Sequence, residues 1–253
     1  MATEHREVRR EALFAQSLRA LRQRVTWYRQ DALVQRSEGT TAYRWAKRLV
    51  TPPMRAAFEV DVVDHWRVPD DGPAIIAANH RSFMDSIFLA HALARPLSFL
   101  AKAEYFDDRR FAWLFRATGQ IPVRRGSPGG AKAALGAAVD VLDRGQLIGL
   151  YPEGTRSRDG LLHRGNLGAA RLAIATGAPL VPVGLVGTQE VQPVGKRLPR
   201  PGTRVEVRFG EPIYPDPTQP DRMQLRDLTR RLMREIGALC GQVPSEERLL
   251  VSV

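Results

Sequence analysis

The chain has 253 residues, of which 43% are hydrophobic, so it is long enough to bury a full core and is not an intrinsically disordered protein. Its formal charge is +11 at pH 7 and comes almost entirely from arginine, because the only lysines are Lys47, Lys102, Lys132 and Lys196. Arginine in such excess suits phosphate groups on a nucleic acid, a lipid headgroup or a substrate. A single cysteine, Cys240, excludes an intramolecular disulfide and is expected to be a mostly buried, unreactive thiol.

The first 58 residues have a helical pattern. In residues 1–37, apolar side chains recur at alternating steps of four and three, which predicts a long amphipathic helix. A break at 37–41 precedes a second helical segment, which Pro52 and Pro53 are expected to end or kink. Charges run through the first forty residues, so no secretory signal is expected, and no stretch reaches the ~18 apolar residues of a membrane-spanning helix.

These predicted helices are basic and aromatic. Residues 1–60 contain twelve Lys or Arg and six Asp or Glu, and their tryptophans and tyrosines lie among the arginines. We therefore predict that residues 1–58 form an amphipathic segment that anchors the protein to an anionic membrane surface, while residues 59–253 form an α/β domain. The alternative is that these helices pack on the core of that domain.

From about residue 59, short apolar runs alternate with helical stretches, which indicates an α/β fold with a mixed, largely parallel central sheet flanked by helices. Strands are predicted at Ala74–Ala78, Leu97–Ala101, Gln120–Val123, Leu147–Tyr151, Leu180–Val186 and Val205–Phe209. Helices are predicted at Ser82–Ala94, Arg109–Thr118, Gly130–Asp143, Asn166–Thr176 and Arg222–Cys240.

A histidine and an aspartate follow the first predicted strand. His80 comes just after Ala74–Ala78, where open α/β sheets place their ligands, and Asp85 lies five positions later. An imidazole there can accept a proton from a hydroxyl, and the carboxylate can accept from the other ring nitrogen and stabilise the imidazolium. Ser82 and Asp85 also have the spacing of a helix N-cap, so the alternative is that Asp85 only satisfies backbone amides.

Positive charge recurs at other strand ends. The block from Tyr151 to Arg156 combines a glycine, a hydroxyl and an arginine whose planar fork suits phosphate. Lys102 directly follows the predicted strand Leu97–Ala101, and Arg124 and Arg125 follow a third strand. Because the carboxyl ends of parallel strands meet at one edge of a sheet, the repetition predicts an anion pocket beside His80, although each block alone reads as a solvated turn.

Four blocks in this order resemble the acyltransferase motifs of the glycerophospholipid acyltransferases. They are Asn79–Asp85 with its His-x4-Asp pattern, Gly119–Arg125, Tyr151–Arg156 and Val181–Gly184. The resemblance covers about residues 60 to 240, and its first and third blocks are specific. Within the family the chain is most similar to bacterial 1-acylglycerol-3-phosphate acyltransferases.

The resemblance implies a role for each block. The catalytic residues are expected to be His80 as general base and Asp85 as its partner. The residues expected to bind the acceptor's glycerol phosphate are Arg125, Glu153, Gly154, Thr155 and Arg156, with Lys102 and Arg124 as further binding residues. Supporting residues are Asn79, Ser82 and Gly119. The fourth block, Val181–Gly184, is expected to form an apolar wall near the acyl site.

Two stretches depart from the family pattern. Arg124 stands where an acidic or small polar residue is common, which adds charge near the acceptor and bears on which acceptor is chosen. His163-Arg164-Gly165 replaces the more usual aromatic-lysine-x-glycine stretch, so different contacts are expected in the loop after the third block.

The expected activity is transfer of a fatty acyl group from acyl-CoA or acyl-carrier protein to the free hydroxyl of 1-acyl-glycerol-3-phosphate, giving phosphatidic acid. No metal or cofactor is expected, and the enzyme is expected at the cytoplasmic face of the cell membrane as a peripheral or monotopic protein. One alternative is the same chemistry on glycerol 3-phosphate, another lysophospholipid or a glycolipid. An alternative of another class is a non-catalytic basic protein that binds membranes or nucleic acid, although no nucleic-acid module is visible and no such partner is expected.

Overall fold

The computed structural model describes residues 39–107, 112, 115–116, 118–123, 129–193, 195–196, 198–216 and 222–245. The helix predicted over residues 1–37 and most of the helix predicted at Arg109–Thr118 lie outside these ranges. So do Arg124 and Arg125. The division of the chain after residue 58 into an anchor and a domain stays a prediction.

A seven-stranded sheet forms the centre of the fold, in the order β1-β7-β6-β2-β5-β3-β4. The strands are β1 (Glu59–Val63), β2 (Ala74–Ala78), β3 (Leu97–Lys102), β4 (Ile121–Val123), β5 (Leu147–Leu150), β6 (Leu180–Val186) and β7 (Arg204–Phe209). Neighbouring strands are parallel except β6 and β7, which are antiparallel. The predicted mixed, largely parallel sheet is therefore confirmed.

Apolar residues cover both faces of the central strands. In β2, all five residues are buried, and they alternate between two core clusters because successive side chains of a strand point to opposite faces. Ile75 and Ala77 join a cluster with three helices on one face, whereas Ala74, Ile76 and Ala78 join a second cluster on the other. Burial on both faces explains why this strand is a continuous apolar run in the sequence.

Helices flank the sheet on both faces. They are α1 (Gly39–Ala57), α2 (Asp85–Ala92), α3 (Glu104–Asp107), α4 (Gly130–Asp143), α5 (Gly168–Thr176), α6 (Thr188–Val191) and α7 (Arg222–Cys240), with a 3₁₀ turn at His65–Arg67. The last of these helices, α7, was predicted with the same bounds, and its apolar stripe is buried at Leu225, Leu228, Leu232 and Ile236. Along the part of the chain that the structure describes, no helix is both long and apolar enough to cross a membrane.

Two elements differ from the sequence-based expectation. The edge strand β1 was not predicted, because its acidic residues Glu59 and Asp61 interrupt the apolar run of a strand that pairs only with β7. Helix α1 begins at Gly39, inside the predicted break, and continues past Pro52 and Pro53 to Ala57. The prolines do not end it, since the carbonyl groups that lose a partner belong to exposed residues one turn earlier, where water can bind them.

Helix α1 packs on the domain by one side only. Tyr43 and Met54 are buried, and the Nζ of Lys47 donates a hydrogen bond to the carbonyl oxygen of Leu93. The opposite side exposes 64% of Trp45 and 74% of Leu49. The helix therefore combines packing on the core with an exposed apolar surface.

Candidate active site

Adjacent parallel strands bring the first and third sequence blocks together. Strands β2 and β5 pair in register, with Ala77 opposite Leu150, so both chains leave the sheet at the same edge. His80 follows β2, and Tyr151 follows β5. Strand β6 pairs with the other side of β2, so the two blocks emerge between central strands, where open α/β sheets bind ligands.

His80 and Asp85 form a hydrogen-bonded pair. The Nδ1 atom of His80 lies 2.8 Å from Oδ2 of Asp85, whose side chain is fully buried, while 18% of the His80 side chain is exposed. In the neutral imidazole, Nδ1 carries the proton because a carboxylate only accepts, and Nε2 is left with its lone pair. The pair therefore has a ring nitrogen free to receive a proton and a buried negative charge behind the ring.

Asp85 also satisfies the backbone at the start of α2. The same Oδ2 atom accepts hydrogen bonds from the backbone N–H groups of Arg81 at 2.7 Å and Ser82 at 2.8 Å. One oxygen of Asp85 thus bonds the two backbone N–H groups, as a helix cap does, and also bonds His80. This turn fixes the distance between the imidazole and the carboxylate, because the backbone that carries His80 is tied to Asp85 directly.

Glu153 connects the first block to the third. It is buried, and its two carboxylate oxygens accept hydrogen bonds from the backbone N–H groups of His80 and His163, each at 3.0 Å. Burial raises the pKa of the Glu153 carboxyl above its ordinary value, and the two amide donors act in the opposite direction. The structure therefore places Glu153 as a bridge between backbone segments, with both oxygens occupied.

A second contact ties the third block to the histidine. The backbone N–H of Ser157 donates to the carbonyl oxygen of His80 at 2.8 Å. Between the two tie points lie Gly154 and Thr155, which are exposed, and Arg156, which is partly buried. Gly154 has a φ of 75°, and a Cβ there would lie 2.9 Å from Nδ2 of Asn166, so this turn requires glycine.

Two supporting residues hold the first block against the rest of the fold. Asn79 is buried, and its amide bonds both backbone groups of Leu185, at 2.9 Å to the carbonyl oxygen and 2.7 Å from the N–H. The hydroxyl of Ser82 donates to the carbonyl oxygen of Gln192 at 3.1 Å and accepts from the N–H of Met84 at 3.2 Å. Both side chains therefore hold the backbone next to His80 in place through hydrogen bonds.

The structure describes the second block from Gly119 to Val123. The backbone of Lys102 pairs with Val123 at the end of β3 and β4, so both strands end at the edge of the sheet that carries His80. Gly119 has a φ of 71°, and a Cβ there would lie 3.3 Å from Oγ of Ser98. The fourth block, Val181–Gly184, lies in β6 and is buried along its length.

The unusual histidine after the third block has a defined partner. Oδ1 of Asp159 accepts hydrogen bonds from the N–H of Leu161 at 3.1 Å, from Nε2 of His163 at 2.8 Å and from the hydroxyl of Ser157 at 3.0 Å. These contacts, led by the Leu161 amide, lower the pKa of Asp159 to about 2. His163 thus braces the loop that follows Arg156.

Sequence reasoning gave Tyr151 no role, yet it contacts His80 directly. The two rings are parallel within 8°, with centroids 3.8 Å apart. The Tyr151 hydroxyl lies 2.7 Å from the hydroxyl of Ser86 in the first turn of α2. The one sequence signal for this contact is an aromatic residue at the end of a predicted strand. That signal can be used only if β2 and β5 are known to be neighbours.

The arrangement can move a proton and hold an anion. His80 is oriented as an acceptor by a buried carboxylate, and the turn with Arg156 is bonded to the backbone of His80 on both sides. A proton acceptor and a guanidinium on connected segments are the two groups that are needed to act on a hydroxyl of a phosphorylated molecule.

Comparison with known proteins gives consistent matches. Residues 59–186 match the family described as Acyltransferase. A chloroplastic 1-acyl-sn-glycerol-3-phosphate acyltransferase of Brassica napus is 30% identical over 171 residues, which are 67% of this chain and 48% of that protein. A protein of the same description from Borreliella burgdorferi is 32% identical over 133 residues, 53% of each chain. The chain spans about half the length of the curated relatives it matches.

A solved structure has the same fold. The crystal structure of the 1-acyl-sn-glycerophosphate acyltransferase of Thermotoga maritima superimposes with a TM-score of 0.64 and 24% sequence identity. The match covers 92% of this chain and 97% of that one. The likeness extends the fold assignment beyond the residues that match the family.

Proposed function

The chain belongs to the Acyltransferase family, and we propose that it transfers a fatty acyl group from an acyl thioester to the free hydroxyl of 1-acyl-glycerol-3-phosphate, giving phosphatidic acid. The observation that carries the proposal is the hydrogen-bonded pair of His80 and Asp85 joined through its own backbone to the turn that holds Arg156. The names of the curated relatives support the choice of acceptor.

In the proposed reaction, Nε2 of His80 takes the proton of the acceptor hydroxyl, and the oxygen attacks the carbonyl carbon of the thioester. The carbon–sulfur bond of the resulting tetrahedral intermediate breaks, and the thiolate leaves with the proton returned by the imidazolium. Asp85 stabilises that imidazolium from a fully buried position. No acyl-enzyme is formed. Acyl-CoA or acyl-carrier protein serves as co-substrate, and the proposal needs no cofactor.

We assign the acceptor's phosphate to Arg156 and to the cations in and after strands β3 and β4. Arg156 directly precedes Ser157, whose backbone N–H donates to the carbonyl oxygen of His80. Lys102 ends β3, and Arg124 and Arg125 follow β4 in the sequence. Phosphate bound there orients the hydroxyl toward His80, which converts binding energy into a lower barrier. Glu153, Gly154 and Thr155 contribute by shaping the turn.

Replacing Arg156 with alanine should raise KM for the lysophosphatidic acid roughly 10- to 100-fold, because a hydrogen-bonded ion pair with the phosphate is lost. Arg156→Lys should recover part of the loss, since an ammonium keeps the charge without the planar fork. Initial rates at varied acceptor concentration measure the effect. Arg171→Ala, at an exposed arginine of α5, is the control and should leave KM unchanged. An unchanged KM in Arg156→Ala would contradict this role and would mean that other cations bind the acceptor's phosphate.

Product analysis tests the proposed function directly. Purified full-length protein receives acyl-CoA with glycerol 3-phosphate, 1-acyl or 2-acyl lysophosphatidic acid, or a lysophospholipid without a terminal phosphate, in parallel, and products are identified by mass. Phosphatidic acid formed fastest from the 1-acyl acceptor supports the proposal. Faster acylation of another acceptor would move the proposal to that substrate. No acyl product with any acceptor, from protein that still binds anionic vesicles, would favour the non-catalytic alternative.

We also propose that the protein lies on the cytoplasmic surface of the cell membrane through its N-terminal residues, including α1. An apolar groove of about 700 Å³ supports this location, since it runs between α1 and the helix that follows His80 and is lined in part by Leu49, Met54, Met84 and Ile87. The guanidinium of Arg48 lies 5.5 Å from the ring of Trp45. Apolar side chains beside exposed cations fit an interface with anionic lipid.

Changing the exposed face of α1 should weaken membrane binding without unfolding the domain. We expect Leu49→Glu to lower the partition coefficient of the protein onto anionic vesicles about tenfold, as measured by cosedimentation. The reason is that an apolar side chain is replaced by a negative charge, which the anionic surface repels. Trp45→Ala should act in the same direction.

Trp66→Ala is the matched control, because Trp66 is 70% exposed in the 3₁₀ turn beyond the end of β1, at the opposite edge of the sheet. Deleting residues 1–58 is a poorer test, since it removes buried Tyr43, Met54 and Phe58. Sedimentation of Leu49→Glu equal to wild type would contradict the role of α1.

A further inference from the structure

The rings of three residues from three neighbouring segments form a stack that ends at His80. The imidazole and the Tyr151 ring lie 3.8 Å apart and 8° from parallel. The Tyr151 ring also stacks with Phe99 of β3, with centroids 5.9 Å apart and ring planes 16° from parallel. Phe99 is buried, so the stack extends from the core to the partly exposed imidazole.

The position of Phe99, the buried end of this stack, depends on a glycine in the neighbouring strand. A Cβ at Gly149 of β5 would lie 2.3 Å from Cε1 of Phe99, closer than any real contact, so the ring occupies space that only glycine leaves free. The N–H of Phe99 donates to Oε1 of Gln120 at 3.0 Å, which fixes the strand that carries the ring. The ring next to Tyr151 in the stack is therefore itself held in place.

The free edge of the Tyr151 ring is fixed by the helix that also carries Asp85. Its hydroxyl lies 2.7 Å from Oγ of Ser86, the residue next to Asp85 in the first turn of α2. Burial, and secondarily the negative charge of Asp85, raise the pKa of Tyr151 well above its ordinary value, so the hydroxyl keeps its proton. Two adjacent residues of one helical turn thus hold the imidazole and the ring stacked upon it.

A single hydrogen bond does not fix the plane of an imidazole. With only the contact between Nδ1 and Asp85, the ring can still rock about the line joining the two atoms, and Nε2 moves away from its target. A parallel ring at van der Waals distance opposes this motion. Its face also attracts the positive charge that the imidazolium carries after taking a proton.

From these contacts we infer that Tyr151 is a positioning residue for the base: it fixes the plane of the His80 ring and favours the imidazolium, and Ser86 in turn fixes Tyr151. The inference rests on the proposed acyl transfer, since it assigns His80 the role of proton acceptor. It adds two residues, Tyr151 and Ser86, that need not touch either substrate.

Kinetics separate the stack from its hydrogen bond. Tyr151→Phe keeps the stack and loses only the hydroxyl contact, so kcat should fall roughly three- to tenfold, and Ser86→Ala should match it. The double variant should be no worse than either single one, because all three remove the same contact. Tyr151→Leu should lower kcat roughly 30- to 100-fold with little change in KM for either substrate.

A spectroscopic measurement tests the stack without relying on activity. The ring protons of His80, assigned in NMR spectra of the full chain by comparison with His80→Ala, should be shifted upfield by the ring current of Tyr151. The shift should persist in Tyr151→Phe and disappear in Tyr151→Leu. Tyr214→Leu is the matched control, because Tyr214 is 69% exposed and follows Ile213, which pairs with Leu180 at the opposite end of β6.

Three results would overturn the inference. They are a kcat of Tyr151→Leu within about twofold of wild type, equal losses for Tyr151→Leu and Tyr214→Leu, and His80 signals that Tyr151→Leu leaves in place. If Tyr151→Leu does not fold, additive losses in the Tyr151→Phe and Ser86→Ala pair would overturn it instead. Failure of the proposed function is distinguishable, since wild-type protein would then transfer no acyl group whatever the spectra show.

Discussion

His80→Ala should lower kcat for acyl transfer roughly 10²–10⁴-fold, the range that a positioned general base contributes. The acceptor hydroxyl would have to lose its proton to water, because the imidazole that accepts this proton is gone. The fold should survive, since the backbone N–H and carbonyl of residue 80 keep their bonds to Glu153 and Ser157. Steady-state rates with acyl-CoA and 1-acyl lysophosphatidic acid measure the effect, and circular dichroism checks the fold.

His65→Ala is the matched control for this experiment. His65 is exposed in the 3₁₀ turn beyond β1, at the opposite edge of the sheet, and its loss should leave kcat unchanged. A His80→Ala protein that retains its fold and transfers acyl groups at nearly the wild-type rate would remove His80 from the mechanism. Loss of transfer with unchanged vesicle binding would argue against the binding-only alternative.

Asp85→Asn should cost nearly as much activity at little cost in stability. An amide oxygen can still accept from His80, Arg81 and Ser82, and its NH₂ group would replace Oδ1, a buried atom without a hydrogen-bond partner among the residues that the structure describes. The negative charge is lost, however, so the imidazolium that forms during proton transfer is no longer stabilised. We expect kcat to fall about 10²–10³-fold.

Asp85→Ala provides the contrast. It removes the acceptor of two backbone N–H groups at the start of α2, so we expect a loss of about 2–5 kcal/mol in unfolding free energy in addition to the loss of activity. Urea denaturation followed by circular dichroism compares the two variants. If Asp85→Asn retained most of its kcat, the charge would be unnecessary and Asp85 would act only as a cap.

The central strands and the pairing of His80 with Asp85 were predictable because each depends on local sequence. A continuous apolar run indicates a strand buried on both faces, and the carboxylate lies only five positions after the histidine. The edge strand β1 lacks that signal, since acidic residues alternate with its valines. Helix α1 continues past two prolines because its exposed side leaves the affected carbonyl groups to water.

The contacts of Glu153 and Tyr151 were not predictable in the same way. Glu153 lies in a turn that suits phosphate binding, yet its oxygens are bonded to the backbone at His80, 73 residues earlier, and at His163. Backbone partners leave no trace in side-chain identity. Tyr151 reaches His80 only because β5 lies beside β2, an adjacency that strand order decides and local sequence does not.

The two hydrogen bonds that hold the backbone of His80, to Glu153 and to Ser157, limit how the acceptor preference can be engineered. Residues 154–156 can be exchanged for those of a relative only if the graft preserves the Glu153 carboxylate and the N–H of residue 157, because these two groups bond the N–H and the carbonyl of His80. A graft that shifts either group would displace the base along with the binding loop. Selectivity and turnover would then change together, so improved discrimination between acceptors should be sought in side chains at 155 and 156 before the length of the turn is altered.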